Sequence, residues 1–316
     1  MVYAVSSKIG YEGCRFAGAE AMIFLTMFVL GCLSDGVNVI QTPAAQAAPI
    51  YSPQFVALPE GGVDQHSPYS HILVRDAINR RSLYFVRDSG DVVLESSVDM
   101  KNPDELVVPY TQVMMAAQLC QPKANSALMI GVGGGGMLHY LQAYFPTMIV
   151  DAVDIDPMII NIAERYFSLK PSDSLRLHVA DGFQFIAESK AQYDIVFMDA
   201  FLKPAVDTDP TGTHLRLKTL TFYESIKARL TLSGVVAFNI NPHPTVQTDI
   251  DTIRAAFDQV WVIPVPDRGN TIVLASVAKK TLTNADFIAA AQSLDGQLKT
   301  SLSYSRLASL ISDEAP

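Results

Sequence analysis

The chain has 316 residues, of which 49% are hydrophobic and 17% charged, and a formal net charge of -9 at pH 7. That is enough for one large domain, or for a small and a large one, each with an ample core. An acidic balance without any lysine or arginine cluster argues against nucleic acid or an anionic membrane surface as partner and suits small cationic substrates.

Lys8 and Arg15 precede an apolar run from Ala21 to Leu33, short for a membrane span but of the length of a signal-peptide core. After Arg15 no lysine or arginine occurs until Arg75, the asymmetry an exported segment needs. Pro43 to Pro49 is a small-residue tract with an A-x-A cleavage site after Ala47, and Cys32 behind Val29-Leu30-Gly31 is a loose lipobox. Residues 1–47 therefore read as a signal peptide or a membrane or lipid anchor, against the plainer reading of a buried or interfacial helix. Removal of that segment takes Cys14 and Cys32 with it, and Cys120, beside Leu119, reads as a small core residue.

Residues 48–66, rich in proline and glycine, read as a linker. Residues 67–100 alternate in short pieces, His71-Ile72-Leu73-Val74, Ser82-Leu83-Tyr84-Phe85-Val86 and Val92-Val93-Leu94-Glu95, with a turn at Asp88-Ser89-Gly90-Asp91. This predicts a small antiparallel β-domain. A helix is predicted from Glu105 to Leu119, between Pro103 and Pro122.

From Ser126 the pattern changes. The run Ala127-Leu128-Met129-Ile130 falls into Gly131-Val132-Gly133-Gly134-Gly135-Gly136 and then Met137-Leu138-His139-Tyr140-Leu141, which reads strand, glycine turn, helix. Glycines let the backbone take positive φ and approach a ligand, with the N–H groups of the helix start pointing at it. Met148 to Val153 ends in Asp154-Ile155-Asp156-Pro157, so a carboxylate stands at the next strand tip, where it can accept both hydroxyls of a ribose. Two more apolar runs end in Asp181-Gly182 and in Asp199-Ala200-Phe201. Four successive strands ending in Gly, Asp, Asp and Asp place one ligand across the carboxyl ends of an open α/β sheet. By contrast, the glycines alone would equally fit a dinucleotide oxidoreductase, which leaves Asp181 and Asp199 unexplained.

The long loop from Leu202 to Lys218 reads as a lid or as disorder. Beyond it, a helix from Leu220 to Leu230, a strand from Val235 to Ile240, a helix from Thr248 to Phe257 and a hairpin of Val260 to Pro264 with Thr271 to Ala275 complete seven strands, the last antiparallel. Residues 281–316 read as a helical tail. No His, Cys or acid spacing points to a metal site.

The glycine loop, Val153-Asp154-Ile155-Asp156-Pro157, Asp181-Gly182-Phe183 and Tyr193-Asp194-Ile195-Val196-Phe197-Met198-Asp199, in that order, resemble the spermidine synthases, the polyamine aminopropyltransferases. The similarity runs from Tyr69 to Ser276. It implies an α/β, Rossmann-like seven-stranded S-adenosylmethionine-dependent methyltransferase fold behind a small N-terminal antiparallel β-domain, with residues 101–280 binding the nucleoside. The implied co-substrate is decarboxylated S-adenosylmethionine or S-adenosylmethionine, the implied acceptor a small-molecule amine, and the implied assembly a homo-oligomer. Gly131, Gly133, Gly135, Asp154, Ile155, Asp181 and Gly182 would hold the cofactor, with Asp154 on the ribose, Asp181 near the adenine amino group and Ile155 or Phe183 against the ring. Asp199 would act as the base for the attacking amine. Tyr69 would wall the substrate, and Asp207 or Asp209 in the loop would supply negative charge.

The chain departs from the family pattern at named positions. Ser-x-Tyr-Gln is Ser67-Pro68-Tyr69-Ser70, Tyr-His-Glu is Tyr110-Thr111-Gln112, the aspartate of the glycine loop is Gly134, and the second acid after the fourth strand is Leu202. Loss of amine-binding acids leaves two alternatives open, a methyltransferase of the same fold and a non-catalytic exported relative. The compartment is open as well: the N-terminus suggests the periplasm or membrane, and a cofactor made in the cytosol suggests the cytoplasm.

Overall fold

The computed structural model describes residues 51–311. The expectations for residues 1–47, including Cys14, Cys32 and the cleavage site at Ala47, lie outside the described residues. Among the described residues no helix is long and apolar enough to cross a membrane.

The chain opens with a four-stranded antiparallel sheet, β1 (Val63–His66), β2 (His71–Ala77), β3 (Arg80–Val86) and β4 (Val92–Asp99), in sequential order. Its first strand lies inside the stretch predicted to be a linker. The residues before it are anchored too. Phe55 and Leu58 pack on the core, and the backbone carbonyl of Val56 accepts from Arg81. Arg81, only 1% exposed, also donates to the carbonyl of Tyr166 at 2.6 Å and to both oxygens of Asp76. The Tyr51 hydroxyl donates to Nδ1 of buried His139, whose Nε2–H faces the Phe167 carbonyl at 2.9 Å. Burial pushes the His139 pKa down to about 4, so the neutral ring serves as a structural clip.

Two short helices follow, α1 (Pro109–Met114) and α2 (Ala117–Cys120), in place of the single helix predicted from Glu105. Pro109 explains the late start: the residue before a proline is driven out of the helical region, and Val108 sits at φ -95, ψ 121. Cys120 is buried and burial pushes its thiol up to about 12, in keeping with a core residue.

The remainder alternates strands and helices: β5 (Ser126–Ile130), α3 (Gly136–Tyr144), β6 (Ile149–Asp154), α4 (Pro157–Tyr166), β7 (Leu175–Val179), α5 (Gly182–Glu188), β8 (Tyr193–Met198), α6 (Leu220–Lys227), β9 (Leu230–Ile240), α7 (Val246–Ala256), β10 (Gln259–Pro264), β11 (Thr271–Ser276), α8 (Asn284–Gln297) and α9 (Tyr304–Leu310). The seven strands β5 to β11 form one sheet in the order β10-β11-β9-β8-β5-β6-β7. β5 to β9 pair in parallel, and β11 is antiparallel to both its neighbours. This is the seven-stranded fold that the sequence predicts. Alternate residues of β5 serve opposite faces, Ala127 and Met129 entering one apolar cluster and Leu128 and Ile130 the other. The strand order reverses at β5, with β6 on one side and β8 on the other, which opens a crevice at the carboxyl ends of those strands.

Candidate active site

The glycine loop follows β5 at this reversal. Gly131 has φ 95, and a Cβ there would stand 2.0 Å from the carbonyl oxygen of Asp199. No other residue fits so close an approach, because the N–H of Asp199 bonds the carbonyl of Ile130 at 2.9 Å and draws the two strand tips together. Gly135, at φ 73, caps the start of α3. A single cavity is lined by Gly131, Gly133, Asp154, Ile155, Asp181, Gly182 and Asp199 together. Gly135 is not on the lining; its left-handed turn shapes the loop from behind.

Asp154 binds the loop rather than merely facing it. One oxygen accepts from the N–H of Val132 and the other from the N–H of Asp156, each at 3.0 Å. Burial raises its pKa to about 6 despite those donors. Asp156 caps α4 through the N–H of Met158 at 2.9 Å and also accepts from the Ser67 hydroxyl, tying the β1–β2 turn to the nucleotide fold. Asp181 has two tasks. One oxygen caps α5 through the N–H of Phe183, and the other pairs with Arg216 at 2.8 Å, whose guanidinium lies 5.2 Å from the centre of the Phe183 ring.

Asp199 accepts two side-chain hydrogen bonds, from Asn239 Nδ2 at 2.8 Å and from the Tyr110 hydroxyl at 3.1 Å. Burial pushes its carboxyl up to about 6, with both donors opposing. Asn239 is itself oriented by Asn270, whose amide donates to Asn239 Oδ1 at 3.0 Å and to Asn241 Oδ1 at 2.6 Å. Glu95 lines the same cavity. Burial first, and then the negative charge of Asp199, push it up to about 7, against the pull of Arg87. The Tyr110 hydroxyl also lies 3.3 Å from the Glu95 carbonyl, so one tyrosine spans both acids' neighbourhoods.

Several expectations need correction. Asp209 does not line the cavity: its carboxylate is buried, pairs with Lys218 at 2.6 Å and accepts from the N–H groups of Thr211 and Thr213. It organises the loop, and Lys218 carries the bond on to Asp249 of α7. Asp209, His243 and Asp249 are close enough for a metal, but the Lys218 ammonium sits among them. Tyr69 is absent from the lining too; its carbonyl meets the N–H of Lys203 at 3.4 Å. The neighbour Ser70 takes its place, with a buried hydroxyl that has no partner and faces the cavity wall. Gln112 turns away to the carbonyl of Leu106, and Thr111 reaches the lining. The loop from Leu202 to Lys218 is ordered on itself, with the N–H of Leu202 bonded to the carbonyl of Gly212 at 2.9 Å, and it contributes Leu202, His214, Arg216 and Leu217 to the wall.

A Spermine/spermidine synthase domain matches residues 108–286. The polyamine aminopropyltransferase of Vibrio vulnificus is 30% identical over 219 residues, which is 67% of this chain and 70% of that protein. The chain belongs to the spermine/spermidine synthase family. The fold agrees: a probable spermidine synthase from Corynebacterium glutamicum superposes with a TM-score of 0.59 at 16% identity, over 81% of this chain and 96% of that one. Human methyltransferase-like protein 13, solved with SAH, superposes with a TM-score of 0.56 at 23% identity, over 61% and 93%. The cavity brings together acids at three strand tips, Asp154, Asp181 and Asp199, the glycine backbone and the unpartnered Ser70 hydroxyl.

The missing aspartate of the glycine loop has a steric counterpart. A Cβ at Gly134 would stand 2.7 Å from the Phe167 ring and 3.0 Å from the Ser96 hydroxyl. Gly134→Asp should therefore cost about 1–3 kcal/mol through overpacking. For a domain of this size that is a fall of several degrees in Tm, measurable by thermal unfolding. An unchanged Tm would show that Phe167 yields freely.

Proposed function

We propose that this transferase moves an aminopropyl group from decarboxylated S-adenosylmethionine to an amine acceptor. The observation that carries the reading is Asp199, a half-buried acid held by Tyr110 and Asn239 in the same cavity as Asp154 and Asp181. The acceptor arrives as an ammonium and must lose a proton before its lone pair can attack. Asp199 takes that proton. The nitrogen then bonds the carbon next to sulfur, the carbon–sulfur bond breaks, and its electron pair leaves on a neutral thioether. Tyr110 and Asn239 keep both oxygens of the base aimed, and the loop from Leu202 to Lys218 walls the cavity from water.

Methyl transfer from S-adenosylmethionine is the second reading, favoured by one observation: Phe167 fills the space where the family places an acid for the aminopropyl end. Thermal unfolding with each donor separates the two. A ligand at about 100 times its Kd adds roughly 2.7 kcal/mol, a shift of several degrees. The expected result is a larger shift with the decarboxylated donor and with methylthioadenosine than with S-adenosylmethionine. The reverse order supports methyl transfer, and no shift with any adenosyl ligand removes the transferase reading.

A further inference from the structure

One of the two groups that hold Asp199 is an amide, and an amide has a direction. Its two ends are almost the same size, but one donates and the other accepts, and either can be turned toward a neighbour. Asn239 offers its donor end, with Nδ2 2.8 Å from the Asp199 carboxylate. Turned over, it would set Oδ1 against the same carboxylate and remove a hydrogen bond that favours the charged form. What decides between the two ends lies on the neighbouring strand. β9 and β11 run antiparallel, with Asn239 opposite Ile272 and Ile240 opposite Thr271. One step beyond, that register brings Asn270 level with Asn241, and the period of two puts Asn239 and Asn241 on one face of β9.

Asn270 donates to Asn239 Oδ1 at 3.0 Å and to Asn241 Oδ1 at 2.6 Å, so both hydrogens of its amide nitrogen are used. A turned Asn239 would therefore meet them donor to donor. Asn239 is buried, and a donor left unpaired there is costly. Turning Asn270 as well would set its oxygen against that of Asn241, so the three amides keep or change direction together. The backbone under Asn270 is fixed on both sides. Its carbonyl accepts from the N–H of Val265 at 2.9 Å, closing the β10–β11 turn, and Gly269 packs so tightly that a Cβ would stand 2.7 Å from Pro242 Cγ. We infer that Asn270 is a positioning residue of the reaction: from the β10–β11 turn it sets the direction of the Asn239 amide and so keeps a donor, not an acceptor, on the base Asp199. The inference rests on the aminopropyl-transfer reading, in which Asp199 takes the acceptor's proton. The other titratable groups near Asp199 are Tyr110 of α1, whose hydroxyl donates to it, and Glu95 of β4. The substitutions that test the inference leave both in place.

Asn270→Asp reverses the chain, because the new carboxylate accepts from the Asn239 amide and leaves Oδ1 facing Asp199. Asn241→Asp adds the same charge but still accepts from Asn270, so the direction is kept. In the full chain with isotope-labelled aspartate, the Asp199 carboxyl carbon, assigned by its absence in Asp199→Asn, is followed by NMR against pH. Asn270→Asp should raise the titration midpoint from about 6 by about one pH unit, the worth of one hydrogen bond to the charged form, and Asn241→Asp should raise it by clearly less. Asn270→Ala removes the donors without adding charge and should move the midpoint in the same direction, which keeps the test open should the aspartate variant not fold. With decarboxylated S-adenosylmethionine and 1,4-diaminobutane, kcat for Asn270→Asp should fall by about tenfold while the KM for the donor stays level. An unmoved midpoint, or equal movement in Asn270→Asp and Asn241→Asp, overturns the inference and leaves aminopropyl transfer standing. The expected titration without methylthioadenosine release from the parent chain overturns the transfer reading, and with it the part Asn270 plays in catalysis, while the amide chain's hold on Asp199 stands.

Discussion

Asp199→Asn should keep the fold and donor binding while lowering kcat by about 10²–10⁴-fold, the usual worth of a positioned base. The substitution is nearly isosteric, so the cavity keeps its shape. Asn239 still finds an oxygen, and the Tyr110 hydroxyl can turn to accept from the new amide while it donates to the Glu95 carbonyl 3.3 Å away. What is lost is the proton acceptor. The pH profile gives an independent readout. The working form is the carboxylate, and burial has pushed its pKa up to about 6, so kcat/KM should fall as pH drops below about 6. Tyr110→Phe removes a hydrogen bond to the charged form and should move that acid limb to higher pH. A kcat for Asp199→Asn within a few-fold of the parent, with the acid limb unmoved, would falsify the assignment of the base.

The parts that could be read from the sequence are those in which one residue's role is set by its place in its own element. Gly131 and Asp154 belong here: an apolar run that ends in glycine or aspartate is a strand tip, and tips of parallel strands converge. Asn239 obeys the same rule, since it is the polar residue near the end of the apolar run Val235 to Ile240, and that signal could have flagged it. Glu95 could not be found this way. It is one acid in an edge hairpin, and it becomes part of the site only because β4 packs on the glycine loop, with Ser96 about a Cβ contact from Gly133. Asp209 was misread for the opposite reason. Its position in an acidic loop suggests a free charge, but Lys218 folds back on it and pins the loop to α7. Composition likewise suggested a linker before Val63. The contacts that hold this stretch, Val56 on Arg81 and Tyr51 on His139, span distances that local pattern does not report.

The same burial that tunes the site should set the pH dependence of stability, and its sign is unusual. Glu95, Asp154 and Asp199 are raised from ordinary carboxylate values to about 7, about 6 and about 6. Between about pH 4 and pH 7 the unfolded chain has released these protons and the native state still holds them. Their contribution to stability is therefore full below about pH 4 and lost as pH rises through the folded values. A shift of two units is on the order of 2–3 kcal/mol, and Glu95 and Asp199, which repel each other, titrate as a pair rather than as two independent acids. Asp151 and Asp209 work the other way. Burial tends to raise both, but hydrogen bonds from Arg176 and His178 to the first and from Lys218 and Thr211 to the second leave their pKa values lowered, so their stabilisation fades toward low pH. The maximum should fall near pH 4, with Tm declining by several degrees toward pH 7.5. Glu95→Gln combined with Asp199→Asn should flatten that decline, and a cationic donor or acceptor should do the same in the parent chain by favouring the ionised acids. A Tm that climbs steadily from pH 5 to 7.5 would show that these acids are solvated as ordinary carboxylates. The cavity would then lack the electrostatic bias toward cations on which the proposed chemistry depends.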